Sequence, residues 1–153
     1  MKNLIIVYSY HHNNTYNIAE AMAKSIDAQI ATPEQAKHLD LDEYDLVGFG
    51  AGIDSGMHYK ELLDFVIDIK SNIENKQCFV FSTSGVYSQK KTLKDHSKLK
   101  EILKDKGYNS LGDFSCLGFN TNSILKYFGG LNQEHPNNED ISNAKRFAST
   151  LIN

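Results

Sequence analysis

A chain of 153 residues with a formal charge of −3, 41% hydrophobic and 23% charged, is long enough for one domain with a sizeable core and has a globular composition. No apolar run approaches the roughly 18–20 residues of a membrane-spanning helix, which argues against membrane insertion. The slightly acidic balance argues against nucleic acid as the main partner, because phosphate binding favours a basic face.

Met1-Lys2-Asn3 leads into only Leu4 to Tyr8 as an apolar run, too short for a secretory signal. Residues 2–8 (KNLIIVY) instead predict a strand buried on both faces. Residues 15–26 carry Ile18, Ala19, Met22, Ala23 and Ile26 at helical spacing, with Asn17, Glu20 and Lys24 opposite. Residues 27–31 are a short outer strand, broken at Thr32-Pro33. Residues 44–49 (YDLVGF) repeat the buried-strand pattern and run into a glycine-rich loop over 50–56.

A helix over 60–69 follows, with Leu62, Leu63, Val66 and Ile69 on one stripe, then a strand over 77–82. A polar, lysine-rich stretch leads to a helix over 97–105, stopped at Lys106-Gly107. Residues 113–119 are the fifth strand. A Gly/Asn-rich segment, 120–138, precedes a last helix over about 139–152, whose Glu139 and Asp140 suit the helix dipole.

This alternation, without a composition break, predicts a single α/β domain spanning 1–153: a doubly wound, five-stranded parallel sheet, order 2-1-3-4-5, with helices on both faces. A closed eight-fold barrel needs about 200–250 residues and is excluded. In such a sheet ligands sit beyond the carboxyl ends of the strands, at the point where the order reverses. That directs attention to the loops after strands 1, 3 and 4.

The first loop holds Ser9, His11, His12, Asn13, Asn14 and Thr15 and enters the first helix directly. A helix N-terminus offers unpaired N–H groups and the positive end of a dipole, and the short polar side chains add donors. With no Lys or Arg present, it either cradles a phosphate through neutral donors or is an ordinary turn with Asn14 or Thr15 as the cap. The second loop runs through Ala51, Gly52, Ile53, Asp54, Ser55 and Gly56, whose small residues allow close approach to a flat ring. Its glycines do not fit the G-x-G-x-x-G fingerprint, which follows a first strand in any case. The third loop offers Thr83, Ser84, Gly85 and Tyr87, and it lacks the first glycine of a hydrolase nucleophile elbow.

Taken together, the hydroxyl-rich first loop with Asn14-Thr15, the glycine-rich second loop and Thr83-Ser84-Gly85 with Tyr87 resemble the flavodoxin family. The tail Gly129-Gly130-Leu131-Asn132, His135-Pro136-Asn137 and Glu139-Asp140 resembles the end of small microbial members. In the family's phosphate loop, (Ser/Thr)-x-Thr-Gly-x-Thr, Thr15 matches the closing threonine, while Asn13 stands at the glycine and His12 at the middle threonine. The resemblance implies that Ser9, His11, His12, Asn13, Asn14 and Thr15 hold the phosphate of FMN. It further implies that residues 51–56 and Thr83, Ser84, Gly85 and Tyr87 meet the ring, with Tyr87 stacked on it. The chain has no tryptophan, so Ile53, Met57 or Tyr59 would cover the other face.

The expected function is therefore FMN-dependent electron transfer between a reductase and an acceptor protein, by a monomer or weak dimer, with no catalytic residue of its own. Asp54 near the ring edge would lower the potential of the reduced couple. Two alternatives are an FMN-dependent reductase acting on a quinone, porphyrinogen or similar acceptor, and a non-redox binding module on the same fold. No metal site is expected. Cys78 and Cys116 stand alone in apolar segments, as reduced thiols packed like small hydrophobes, which suits the cytoplasm.

Overall fold

In the computed structural model, residues 1–10, 12–70, 74–119 and 130–153 are described. β1 (Asn3–Tyr8) is followed by α1 (Asn14–Ile26), β2 (Ala28–Ala31) and a short α2 (Pro33–Ala36). A 3-10 turn (Leu41–Glu43) leads into β3 (Leu46–Asp54), β4 (Met57–His58) and α3 (Lys60–Asp68). The chain continues through β5 (Lys76–Ser84), α4 (Gln89–Asp105), β6 (Tyr108–Leu117) and α5 (Asn138–Thr150).

The main sheet runs β2-β1-β3-β5-β6, all parallel, with β4 turned back antiparallel on β3. Leaving out β4, this is the expected 2-1-3-4-5 order. Each central strand feeds both faces, as continuous apolar runs require. Leu4, Ile6, Val47, Phe49, Cys78 and Val80 pack with Leu62, Val66, Leu99 and Leu103 of α3 and α4. Ile5, Val7, Phe79 and Phe81 pack on the opposite side with Ile18, Met22, Ala144 and Ala148 of α1 and α5. Both cysteines are free and buried, and burial pushes the Cys78 thiol up to about 12.

Two elements depart from the sequence reading. The loop expected over 50–56 is strand as far as Asp54, closed by a two-residue turn at Ser55-Gly56. Gly48 and Gly50 are packing residues: a Cβ at Gly48 would lie 2.3 Å from Phe79 Cζ, and one at Gly50 2.2 Å from Phe81 Cζ. The lysine-rich stretch before residue 97 is the first half of α4, which starts at Gln89 with Ser88 Oγ accepting from the Lys91 amide at 3.1 Å. Its buried stripe there is Asp95 and His96 rather than aliphatic residues, which hides the helical period. Smaller shifts extend β6 back to Tyr108 and begin α1 at Asn14.

Candidate functional site

The parallel strands end together at Tyr8, Asp54, Ser84 and Leu117, and an open cleft lies across those ends. Tyr10, Asn14 and Thr15 line it from the β1–α1 connection, Gly52, Ile53 and Tyr59 from the β3–α3 segment. Thr83, Ser84 and Gly85 close it after β5, and Gly118 after β6. Of the residues picked from sequence, the fold therefore brings Asn14, Thr15, Gly52, Ile53, Thr83, Ser84 and Gly85 into one wall.

The first connection is tightly shaped. His12 and Asn13 both have positive φ, 53° and 55°. Asn13 thus adopts, at the glycine position of the family pattern, a conformation that Asn tolerates better than most residues. Asn13 is the N-cap of α1, yet its side chain makes no capping bond. The Tyr16 amide instead donates to Ser9 Oγ at 3.3 Å. The helix start is held from elsewhere: buried Asn14 donates through Nδ2 to the Phe119 carbonyl at 2.7 Å, and Thr15 Oγ1 lies 2.8 Å from Thr83 Oγ1. The His12 ring lies over Phe119, centroids 4.2 Å apart. His11 lies outside the described residues.

A second fastening was not legible. Asn132, with φ 57°, donates to the Gly85 carbonyl at 2.9 Å and more weakly to that of Gly118 at 3.4 Å. The Gly118 amide donates to the Ser84 carbonyl at 3.0 Å. The loop after β5 is thus tied to the end of β6. A Cβ at Gly118 would lie 2.8 Å from Asn14 Nδ2, so this position must stay bare for the two connections to touch.

Tyr8, Tyr10 and Tyr59 form an aromatic group beside the cleft. Tyr59 meets Tyr8 edge-on at 5.8 Å and Tyr10 at 6.3 Å between centroids. Tyr59 precedes α3, its amide donates to the Gly52 carbonyl at 3.1 Å, and its ring rests on the bare Cα of Gly52. Burial, then the nearby Asp54 carboxylate, raises the Tyr59 hydroxyl above its ordinary value, so it stays neutral and able to donate.

The other sequence candidates stand outside the lining. Ala51 is fully buried in β3, Ser9 is half-buried, and His12 and Asn13 are exposed. Asp54, Ser55 and Gly56 form the exposed tip of the hairpin, and Tyr87 is exposed beyond the cleft. Tyr59, one of three residues expected to cover a ring face, lines the cleft; Tyr10 and Gly118 line it without having been selected as binding residues.

The sequence matches the family profile of the flavodoxin domain over residues 5–121. The chain belongs to the flavodoxin family. An uncharacterized protein of Methanocaldococcus jannaschii is 41% identical over 152 residues, covering 99% of each chain. Among solved structures, oxidised flavodoxin 2 from Bacillus cereus superposes with a TM-score of 0.67 at 17% identity, over 99% of this chain and 98% of that one. Rubredoxin oxygen:oxidoreductase from Desulfovibrio gigas superposes with a TM-score of 0.66 at 14% identity, over 98% of this chain and 35% of that one. Likeness at such identities establishes the shared flavodoxin fold. No helix among the described residues of this flavodoxin-family chain is long and apolar enough to cross a membrane.

Proposed function

We propose that this chain binds FMN non-covalently in the cleft at the strand ends and carries electrons between partner proteins. The observation that carries the reading is the convergence of the α1 start, the Thr15–Thr83 hydroxyl pair and the tyrosine-backed Gly52-Ile53 wall on one cleft.

The donor set suits FMN. The first amides of α1 and the hydroxyls of Thr15, Thr83 and Ser84 would take the phosphate and its ribityl chain, with no lysine or arginine among the described lining residues. Ser9, His12 and Asn13, just outside the lining, would complete the phosphate loop on closure. Gly52, Ile53 and Gly85 would allow the flat ring close to the backbone, with Tyr59 and Tyr10 as its aromatic neighbours. The flavin supplies the electron chemistry when bound.

The protein's own residues bind, orient and shield. Hydroxyls, amides and the neutral Tyr59 line the cleft, groups suited to holding and orienting a cofactor. This supports a carrier. Exposed Tyr10, Met57, Val86 and Tyr87 at the rim offer apolar contact to a docking partner. A buried pair of reduced thiols suits a reducing, cytoplasmic compartment.

The test is an FMN titration of the purified, cofactor-stripped protein, followed by absorption and fluorescence. The expected result is a bound flavin spectrum with quenched emission at micromolar or lower dissociation constant. Absence of binding at that concentration overturns the reading. Rapid turnover of NAD(P)H with a quinone by the loaded protein would replace the carrier with a reductase.

A further inference from the structure

Behind the β3–β4 hairpin lies a buried polar group that cofactor binding leaves unused. His58, at the end of β4, is 1% exposed, and His96 on α4 is 0% exposed. Their rings are 4.8 Å apart between centroids, inclined at 42°. His58 Nε2 lies 3.0 Å from the Phe81 carbonyl, which can only accept, so Nε2 carries the proton. Ser82 donates its hydroxyl proton to Ser115 Oγ at 3.0 Å and so accepts from His96 Nε2 at 2.8 Å. Nε2 is thus the donor on both rings; both Nδ1 atoms are buried without a hydrogen-bond partner, that of His96 3.9 Å from Asp113 Oδ1.

His58 is also the inner anchor of the hairpin. It pairs with Ile53, a wall of the cleft, and precedes Tyr59, another wall. Asp54, Ser55, Gly56 and Met57 are exposed, and Ser55 and Gly56 turn the chain with φ of 51° and 80°. Such a short hairpin has little stability of its own, so its position depends on what it is packed against. That support is the His58 ring on His96, with Gly56 near Asp95.

The charged groups around the pair come from two elements. From α4, His96 lies against His58, and Asp95, paired with Lys91, lies near Gly56 of the hairpin. From β6, Asp113 acts on both rings: its Oδ1 is 3.9 Å from His96 Nδ1, and its Oδ2 accepts from Lys100 at 2.9 Å. From β5 come only the Phe81 carbonyl and the Ser82 hydroxyl.

We propose that His58 is a positioning residue, a neutral latch that holds the hairpin on α4 and thereby sets the Ile53–Tyr59 wall, and that opening the latch is coupled to uptake of one proton. Its consequence for cofactor affinity rests on the FMN reading; the latch itself does not. Closed, the ring cannot take a second proton, because burial and then neighbouring His96 press against the charge. Open, it returns to its ordinary value of 6.5. Below that pH the opening equilibrium rises about tenfold per pH unit.

The experiment is amide hydrogen exchange of the cofactor-free protein from pH 7.5 to 5, corrected for intrinsic rates, with FMN affinity measured over the same range. The expected result is a loss of protection at residues 53–58 of about tenfold per unit below pH 6.5. His58→Phe, or His58→Asn should the ring variant not fold, abolishes that slope, and His58→Ala weakens FMN binding about tenfold or more with the remaining exchange pattern intact. Protection of 53–58 that is flat with pH in the parent, or an unchanged slope in the Phe and Asn variants, overturns the proposal. A His58-dependent slope in a protein that binds no FMN upholds the latch while ending the cofactor reading.

Discussion

Thr15 and Thr83 meet hydroxyl to hydroxyl at 2.8 Å, joining the first turn of α1 to the end of β5 across a gap of 68 residues. Both are buried, so each hydroxyl is the other's replacement for water. The contact fixes the α1 start relative to the loop after β5, the two parts of the cleft that would hold the phosphate and the ring.

The cost of removing the two hydroxyls should therefore be less than additive. Thr83→Val leaves Thr15 with a buried, unpaired hydroxyl and should destabilise the protein by about 1–3 kcal/mol. The double variant Thr15→Val with Thr83→Val should lose less than the sum of the two singles, because neither polar group remains stranded. Urea unfolding of the four proteins measures this coupling. FMN titration of the same set should show weaker binding in each variant.

The bare Cα atoms of Gly48 and Gly50 make room for the rings of Phe79 and Phe81. Gly48→Ala places its methyl 2.3 Å from Cζ of Phe79, whose ring is fully buried in the core. A loss of about 1–3 kcal/mol is expected from this overpacking. Adding Phe79→Leu should restore part of it. Thermal unfolding of Gly48→Ala alone and with Phe79→Leu checks the assignment; equal melting temperatures for Gly48→Ala and the parent would contradict it.

These glycines also explain what the sequence did and did not disclose. The central strands β1, β3 and β5 are legible because each carries a continuous apolar run, and the sheet order follows from the doubly wound pattern. The extension of β3 to Asp54 was hidden, because its glycines are selected by the rings of Phe81 and Tyr59 that pack on Gly50 and Gly52 rather than by a loop. The first half of α4 was hidden because Asp95 and His96 occupy its buried stripe. At the cleft, Asn14, Thr15, Gly52, Ile53 and Thr83 to Gly85 were legible because they end strands or begin a helix. Tyr59 was one of three residues expected to cover the ring, whereas Tyr10 reaches the cleft through tertiary packing and Asn132 crosses from a distant segment, relations that no local pattern encodes. Three tyrosines clustered at the ends of β1 and the hairpin were the available signal for an aromatic wall.

Global stability should respond to acid through His58. Burial, followed by neighbouring His96, pushes its imidazole down to about 3 from an ordinary 6.5. Between those values the unfolded chain binds a proton that the folded protein refuses. Stability attributable to the neutral ring is thus intact above pH 6.5 and falls as the pH drops, by about 1.4 kcal/mol per unit. Urea midpoints at pH 7.5, 6 and 5 should decline accordingly, and His58→Asn should flatten the decline. An equal slope in that variant would assign the effect to other groups.

The choice of aromatic neighbour separates two pictures of the cleft. Tyr87, which the family resemblance would stack on the ring, is exposed and outside the lining, whereas Tyr59 backs the Gly52-Ile53 wall and touches Tyr10. With a rigid cleft, Tyr59→Ala should weaken FMN binding about tenfold or more, since an aromatic contact of about 0.5–1.5 kcal/mol is lost along with buried area. Tyr59→Phe should retain most of the affinity, because the ring and not the hydroxyl supplies the contact. Tyr87→Ala should change affinity by less than about threefold. Fluorescence titrations of the three variants decide the matter. A large loss in Tyr87→Ala with little in Tyr59→Ala would mean that the loop after β5 closes over the cofactor on binding, carrying Tyr87 inward and releasing Asn132 from the Gly85 carbonyl.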